Sequence, residues 1–139
     1  MSTTVNVYGS SLALLTDLYQ LTMAYGYWKN DLADRQAVFH LHFRKPPFEG
    51  GYAIACGLAS VIDFLRGLSF GEEDVSYLAQ LCGADGEPLF EQAFCDYLRA
   101  LQFELDIDAV PEGTVVFGSE PLVRVRGGCC SARSWRRRC

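Results

Sequence analysis

The sequence predicts an α+β domain, and three observations lead there. The apolar period is helical from Leu18 to Trp28, changes to strict alternation over 37–43, returns to helical patterns over 59–101 and alternates again from Phe103. That order of helix, strand pair, helices and strands differs from the regular strand–helix repeat of a parallel sheet. A length of 139 residues bounds the chain to one domain with a modest core.

The first element begins at Asp17, a polar residue suited to cap a helix, with Gln20 three positions on as a variant capping box. Leu18, Leu21, Tyr25 and Trp28 then recur at helical spacing and form the expected core face, while Tyr19, Met23 and Tyr27 lie on another side. Three tyrosines, a tryptophan and a methionine in one short helix exceed what one small core needs. Some of those rings are expected to face a ligand or a partner chain.

AVFHLHF (37–43) alternates cleanly, with Phe39, Leu41 and Phe43 on one face of a strand and Val38, His40 and His42 on the other. RKPPFEGG then breaks regular structure with two prolines and two glycines. A short apolar strand is expected over Tyr52 to Cys56, and a helix over Ala59 to Gly67 with Ile62 and Leu65 inward. EEDVSYLAQLC (72–82) opens with three acids, as a helix N-terminus favours. Pro88 to Leu101 carries a further helical pattern through Leu89, Phe90, Phe94, Tyr97, Leu98 and Leu101. In FELDIDAV, Leu105, Ile107 and Ala109 alternate with Asp106 and Asp108, giving a strand; a Pro111-Glu112-Gly113 turn, a TVVF strand and a strand over Pro121 to Val125 follow.

Composition sets limits on function. Half the residues are hydrophobic and 21% are charged, which favours a folded chain over a disordered one. Residues 1–127 hold eight basic and seventeen acidic residues, so the body offers no electrostatic footprint for nucleic acid. No apolar run reaches the ~18 residues that span a bilayer, so no membrane partner is expected. The first fifteen residues lack a basic leader, so a signal peptide is not expected and a cytosolic protein is. Cys56, Cys82 and Cys95 lie in apolar contexts and are expected as buried free thiols. Cys129, Cys130 and Cys139 do not match metal-binding spacing, so neither a metal site nor a disulfide framework is implied.

Three constellations carry possible chemistry. His40 and His42 share a strand face as metal ligands do, but no third ligand pattern accompanies them and a structural reading is favoured. Asp106 and Asp108 also share a face; alternating acids on a half-exposed strand are expected to face solvent rather than act as a catalytic pair. Arg44 and Lys45 stand where a strand enters a Pro/Gly turn. A cation on a restricted backbone suits a phosphate, which arginine grips with two parallel hydrogen bonds; the alternative is a surface ion pair.

Read together, TDLYQLTMAYGYW, AVFHLHFRKPPFEGGYAIACGL and AVPEGTVVFGSEPLVRVRG resemble the nicotinate phosphoribosyltransferases, in the same order and spacing, from about Ser11 to Gly127. The resemblance implies an enzyme of NAD salvage that joins nicotinate to phosphoribosyl pyrophosphate, giving nicotinate mononucleotide and pyrophosphate. It implies coupling to ATP hydrolysis through a phosphorylated histidine, with Mg2+. It further implies an N-terminal α/β sandwich-like domain of a type II phosphoribosyltransferase, without the irregular α/β barrel that follows in the family, and a homodimer with active sites at the subunit interface. By position, Tyr19 is similar to the tyrosine that stacks on the nicotinate ring, contributed to the partner subunit's site, and Asp17 lies beside it. Arg44 resembles a contact for the ribose or pyrophosphate phosphates, with Lys45 a weaker candidate. Neither His40 nor His42 sits in the phosphohistidine context, so no catalytic residue is expected in this stretch and the chain alone is expected to be inactive. Two alternatives stand beside this reading: a non-catalytic fragment that pairs with full-length subunits, and a relative specific for nicotinamide or quinolinate.

The resemblance places a flexible N-terminus over 1–10, the family domain over 11–127 and a non-family, disordered tail over 128–139. After VRVRG the family continues with an apolar segment like GPLL…QLLETALL, whereas this chain reads GCCSARSWRRRC. One back-translation of that tail, read from its third base, gives Leu-Leu-Leu-Gly-Ala-Gln-Leu-Glu-Thr-Ala-Leu. A shifted frame entered near Gly127 or Gly128 is therefore expected, and the genomic sequence at that codon tests it.

Overall fold

The computed structural model describes residues 12–46 and 50–135. Elements follow in the order α1 (Leu18–Lys29), β1 (Gln36–Leu41), β2 (Ala53–Ile54), α2 (Leu58–Arg66), α3 (Glu72–Ala79), α4 (Gln92–Ala100), β3 (Leu105–Ala109), β4 (Val115–Val116), β5 (Val123–Gly128) and α5 (Cys129–Trp135). The α+β order read from the sequence is the observed one, and no closed barrel is present among the described residues.

Strands β1, β5 and β3 form an antiparallel sheet with β5 in the centre. In β5 the alternation is sharp: Val123, Val125 and Gly127 are buried, Arg124 and Arg126 exposed. Register sets His40 and Asp108 on either side of Arg124, and Val38 and Asp106 on either side of Arg126. Asp108 Oδ2 accepts from Arg124 Nε at 3.0 Å and Nη2 at 2.8 Å, and Arg126 lies 3.6 Å from Asp106. Each such exposed pair stabilises by no more than ~1 kcal/mol. This solvent-facing ladder is where the two aspartates and His40 sit, whereas β1 ends at Leu41 and leaves His42 beyond the strand, exposed. Strands β2 and β4 form a separate antiparallel pair.

Two hydrophobic clusters result. One is helical, built from Leu21, Ala24, Val75, Leu78, Phe90, Phe94 and Leu98 with their neighbours. The other lies on the inner face of the sheet around Val123 and Val125, with Leu41, Leu105 and Ile107 against it. Leu65 of α2 packs against both and links them.

Several elements are shorter or placed differently than their local patterns suggest. Helix α4 starts at Gln92 rather than Pro88, because 82–91 folds back as a turn in which Gly83 N donates to Glu87 O at 2.8 Å and Leu89 N to Leu81 O at 2.8 Å. On α1, Leu18 is 48% exposed and leaves the expected core face. The buried residues are Gln20, Leu21 and Ala24; at ~100° per residue, Leu18 stands about 110° from their common direction and Tyr19 about 150° from it. Asp17 holds the N-cap position without a side-chain cap bond, and buried Gln20 turns inward instead of closing a capping box. Cys56 and Cys82 are exposed, against the expectation of burial, while Cys95 is buried.

The largest departure is at the C-terminal end. Cys129–Trp135 form α5, packed on α1, β1 and β5, where disorder is expected from residue 128. Cys130, Ser131 and Ala132 are small enough to seat against α1, and the Cys130 thiol donates to the Ala24 carbonyl at 3.4 Å. The expected flexible N-terminus at 1–10 and the arginines at 136–138 lie outside the described residues.

Burial, partly offset by the Tyr97 hydroxyl, pushes the Cys130 thiol up to about 11. Burial likewise pushes the Tyr97 hydroxyl up. An unfolded thiol ionises near ~8.5, so the stabilising contribution of buried Cys130 is complete below that pH and is lost as pH rises to about 11. Thermal unfolding is expected to fall to lower temperature across this window, and less steeply in Cys130→Ala. Parallel curves for the two proteins would contradict the burial of that thiol.

Candidate functional site

The four candidate residues fall into two pairs on different layers of the fold. Asp17 is half-buried at the start of α1, and Tyr19 follows in its first turn, 44% exposed. The tyrosine hydroxyl oxygen accepts a hydrogen bond from buried Gln20 Nε2 at 2.6 Å. That bond holds the phenol at its polar end, on a residue that stays largely open to solvent. Leu15, Leu18 and Met23, each at least 38% exposed, surround this end of the helix with further apolar surface.

Arg44 and Lys45 occupy the bend after β1, both exposed. The following Pro46 holds Lys45 away from helical backbone. Lys29, Arg66, Arg99, Arg124 and Arg126 each form an ion pair with a described carboxylate, whereas Arg44 and Lys45 form none among the described residues. Lys45 also lines a cavity of about 610 Å³ between the sheet end, β2, β4 and α2, walled by Leu41, Phe43, Val61, Val116 and Leu122. Asp17, Tyr19 and Arg44 do not line it.

Two supports escaped the sequence reading. Glu112, read only as a turn residue, reaches α2 and accepts from Gly57 N at 3.1 Å and Ala59 N at 3.3 Å. An acid at a helix N-terminus satisfies donors the helix leaves open. The turn at Phe117–Glu120 rests on the Arg44 backbone, with Ser119 N donating to Phe43 O at 2.7 Å. Contacts this distant in sequence leave no local pattern to read. Among the described residues, no three His, Cys, Asp or Glu side chains gather where a metal is held.

The fold, with an outward tyrosine on its first helix and two exposed cations at a strand end, has counterparts of known structure. It is that of the N-terminal α+β domain of a phosphoribosyltransferase. The family model described as the nicotinate phosphoribosyltransferase (NAPRTase) N-terminal domain matches residues 14–135. This chain belongs to the nicotinate phosphoribosyltransferase family. Nicotinate phosphoribosyltransferase of Homo sapiens is 44% identical over 115 residues, covering 82% of this chain and 21% of the relative. Nicotinate phosphoribosyltransferase 2 of Arabidopsis thaliana is also 44% identical over 115 residues, covering 82% of this chain and 20% of the relative. The crystal structure of human nicotinic acid phosphoribosyltransferase superposes with a TM-score of 0.75 at 41% identity, over 87% of this chain and 24% of that one. The chain therefore spans about a fifth of the length of the curated relatives it matches. The family match also runs through α5, past Gly127 where the sequence reading ends the resemblance.

Proposed function

We propose that this domain supplies two substrate contacts to an enzyme that joins nicotinate to phosphoribosyl pyrophosphate in NAD salvage, in the cytosol and with ATP hydrolysis coupled to turnover. Tyr19 stacks on the nicotinate ring, with Asp17 beside it, in a site completed by the partner subunit of a homodimer. Arg44, assisted by Lys45, grips phosphate oxygens of the phosphoribosyl substrate. One observation carries this reading: α1 buries its Gln20–Leu21–Ala24 side and turns Tyr19 outwards, 44% exposed, with its hydroxyl in the contact with Gln20 described above. A flat, electron-poor pyridine gains from such a face at little entropic cost.

Neither His40 nor His42 serves as the phosphorylated histidine in this proposal: His40 is exposed on the sheet beside the arginine–aspartate ladder, and His42 is exposed just past the end of β1. The purified 139-residue chain, given nicotinate, phosphoribosyl pyrophosphate, ATP and Mg2+, is expected to form no nicotinate mononucleotide. Mononucleotide formation above the protein-free blank would contradict the assignment of binding without catalysis to these residues. The exposed apolar surface at Leu15, Leu18, Tyr19 and Met23 also favours the second reading, pairing of this stretch with full-length subunits. Co-purification with a full-length subunit tests that pairing.

A further inference from the structure

The turn over Phe117–Glu120 departs from the usual economy of turns. Glu120 N donates to Phe117 O at 3.3 Å, and Ser119, third of the four residues, has φ +68°. A left-handed third position is the place where such a turn takes glycine, because a side chain there is strained. Here glycine stands one position earlier, at Gly118, and serine carries the strain. Exchanging the two would suit the turn. The obstacle lies across the fold: a Cβ on residue 118 would sit 2.9 Å from the Arg44 carbonyl oxygen and 3.6 Å from Pro46 Cδ. The adjacent Ser119 N donates to Phe43 O at 2.7 Å, and Glu120 Oε2 accepts from Phe117 N at 2.8 Å to hold the turn closed. Gly118 is thus dictated by its approach to Arg44, not by the turn it belongs to.

We propose that Gly118 and Ser119 are positioning residues for the Arg44–Lys45 bend, fixing where both cations stand for the phosphates of phosphoribosyl pyrophosphate. The inference rests on the phosphate reading of Arg44 and goes beyond it by assigning a second segment, starting 74 positions further along the chain, to the same function. No atom of Gly118 needs to touch substrate. Its missing side chain lets the β4–β5 connection seat against the Arg44 backbone, while the Ser119 amide pins the preceding residue. A cation on a backbone held at two adjacent points loses less freedom when it grips an anion.

Steady-state kinetics of a full-length subunit carrying this domain test the proposal, with nicotinate and phosphoribosyl pyrophosphate varied separately. Gly118→Ala is expected to raise KM for phosphoribosyl pyrophosphate roughly tenfold, because small displacements of a positioning group are costly. KM for nicotinate and kcat are expected to stay within about twofold of the parent, and adding Gly118→Ala to Arg44→Ala is expected to cause little further loss. Glu120→Ala adds no atom and only loosens the turn, so it decides the matter if Gly118→Ala fails to fold; its expected effect is roughly threefold on the same KM. If Arg44→Ala raises that KM while both turn variants leave it unchanged, positioning is overturned and the phosphate reading stands. If Arg44→Ala leaves it unchanged, the phosphate reading falls and the positioning role falls with it.

Discussion

Phe94→Ala is expected to destabilise the domain by ~3–5 kcal/mol, enough to bring a parent near the ~5 kcal/mol low end of the usual range to the edge of unfolding. Phe94 is fully buried and stands among four other rings: Tyr25 at 5.1 Å, Trp28 and Phe90 at 5.6 Å, and Tyr97 at 6.1 Å between centroids. Tyr25 and Trp28 come from α1, while Phe94 and Tyr97 come from α4. Removing the central ring therefore empties the contact between the two helices and leaves its neighbours facing a void. Phe94→Leu, which keeps more of the volume, is expected to cost markedly less. Denaturant unfolding of both variants checks this, and a loss below ~1 kcal/mol for the alanine would contradict an aromatic centre to the helical core.

Tyr19→Ala is expected to raise KM for nicotinate roughly 10- to 100-fold in a full-length subunit carrying this domain. Aromatic stacking stabilises by ~0.5–1.5 kcal/mol beyond the area it buries, and ~1.4 kcal/mol is a factor of ten in affinity. Tyr19→Phe separates the ring from its hydroxyl. It retains the face and is expected to leave KM within roughly threefold, since the stacking surface is unchanged. It also strips the partner from Gln20 Nε2, on a side chain that is 2% exposed and whose Oε1 already has no hydrogen-bond partner. An unpaired buried amide costs ~1–3 kcal/mol, so the phenylalanine variant is expected to melt earlier while binding nicotinate nearly as well. The two substitutions thus move different observables, and a fall in nicotinate affinity as large in Tyr19→Phe as in Tyr19→Ala would place the contact on the hydroxyl instead.

How far these features were legible follows from the range of the interactions behind them. The alternation at Phe39 and Leu41, and again at Leu105, Ile107 and Ala109, is written in neighbouring residues, and both strands are there, although β1 ends at Leu41 and does not reach Phe43. The outward position of Tyr19 follows equally from helical spacing. Leu89 and Phe90 fit a helical pattern, yet they reach the helical core from a turn that doubles back on Leu81, a route periodicity does not distinguish. Helix α5 was hidden for another reason. Its inward residues, Cys130 and Ala132, are small, and they count as core only because Ala24 on α1 leaves room beside them. Gly118 and Glu112 act across more than fifty positions, on Arg44 and on the start of α2, so no local window contains both partners. The candidate pairs themselves, Asp17 with Tyr19 and Arg44 with Lys45, could be proposed from sequence because each is contiguous or nearly so.

Two substrate contacts on separate elements of one domain predict a clean division in kinetics. In one full-length subunit carrying this domain, KM for nicotinate and for phosphoribosyl pyrophosphate is measured for Tyr19→Ala and Arg44→Ala side by side. Tyr19→Ala is expected to raise only the nicotinate value, and Arg44→Ala only the phosphoribosyl pyrophosphate value, by roughly tenfold each, since a stacking face is worth ~0.5–1.5 kcal/mol beyond the area it buries and a charged hydrogen bond ~1.5–3 kcal/mol. Equal effects of both substitutions on both substrates, or none on either, would contradict the assignment of α1 to the pyridine ring and of the β1 bend to the phosphates.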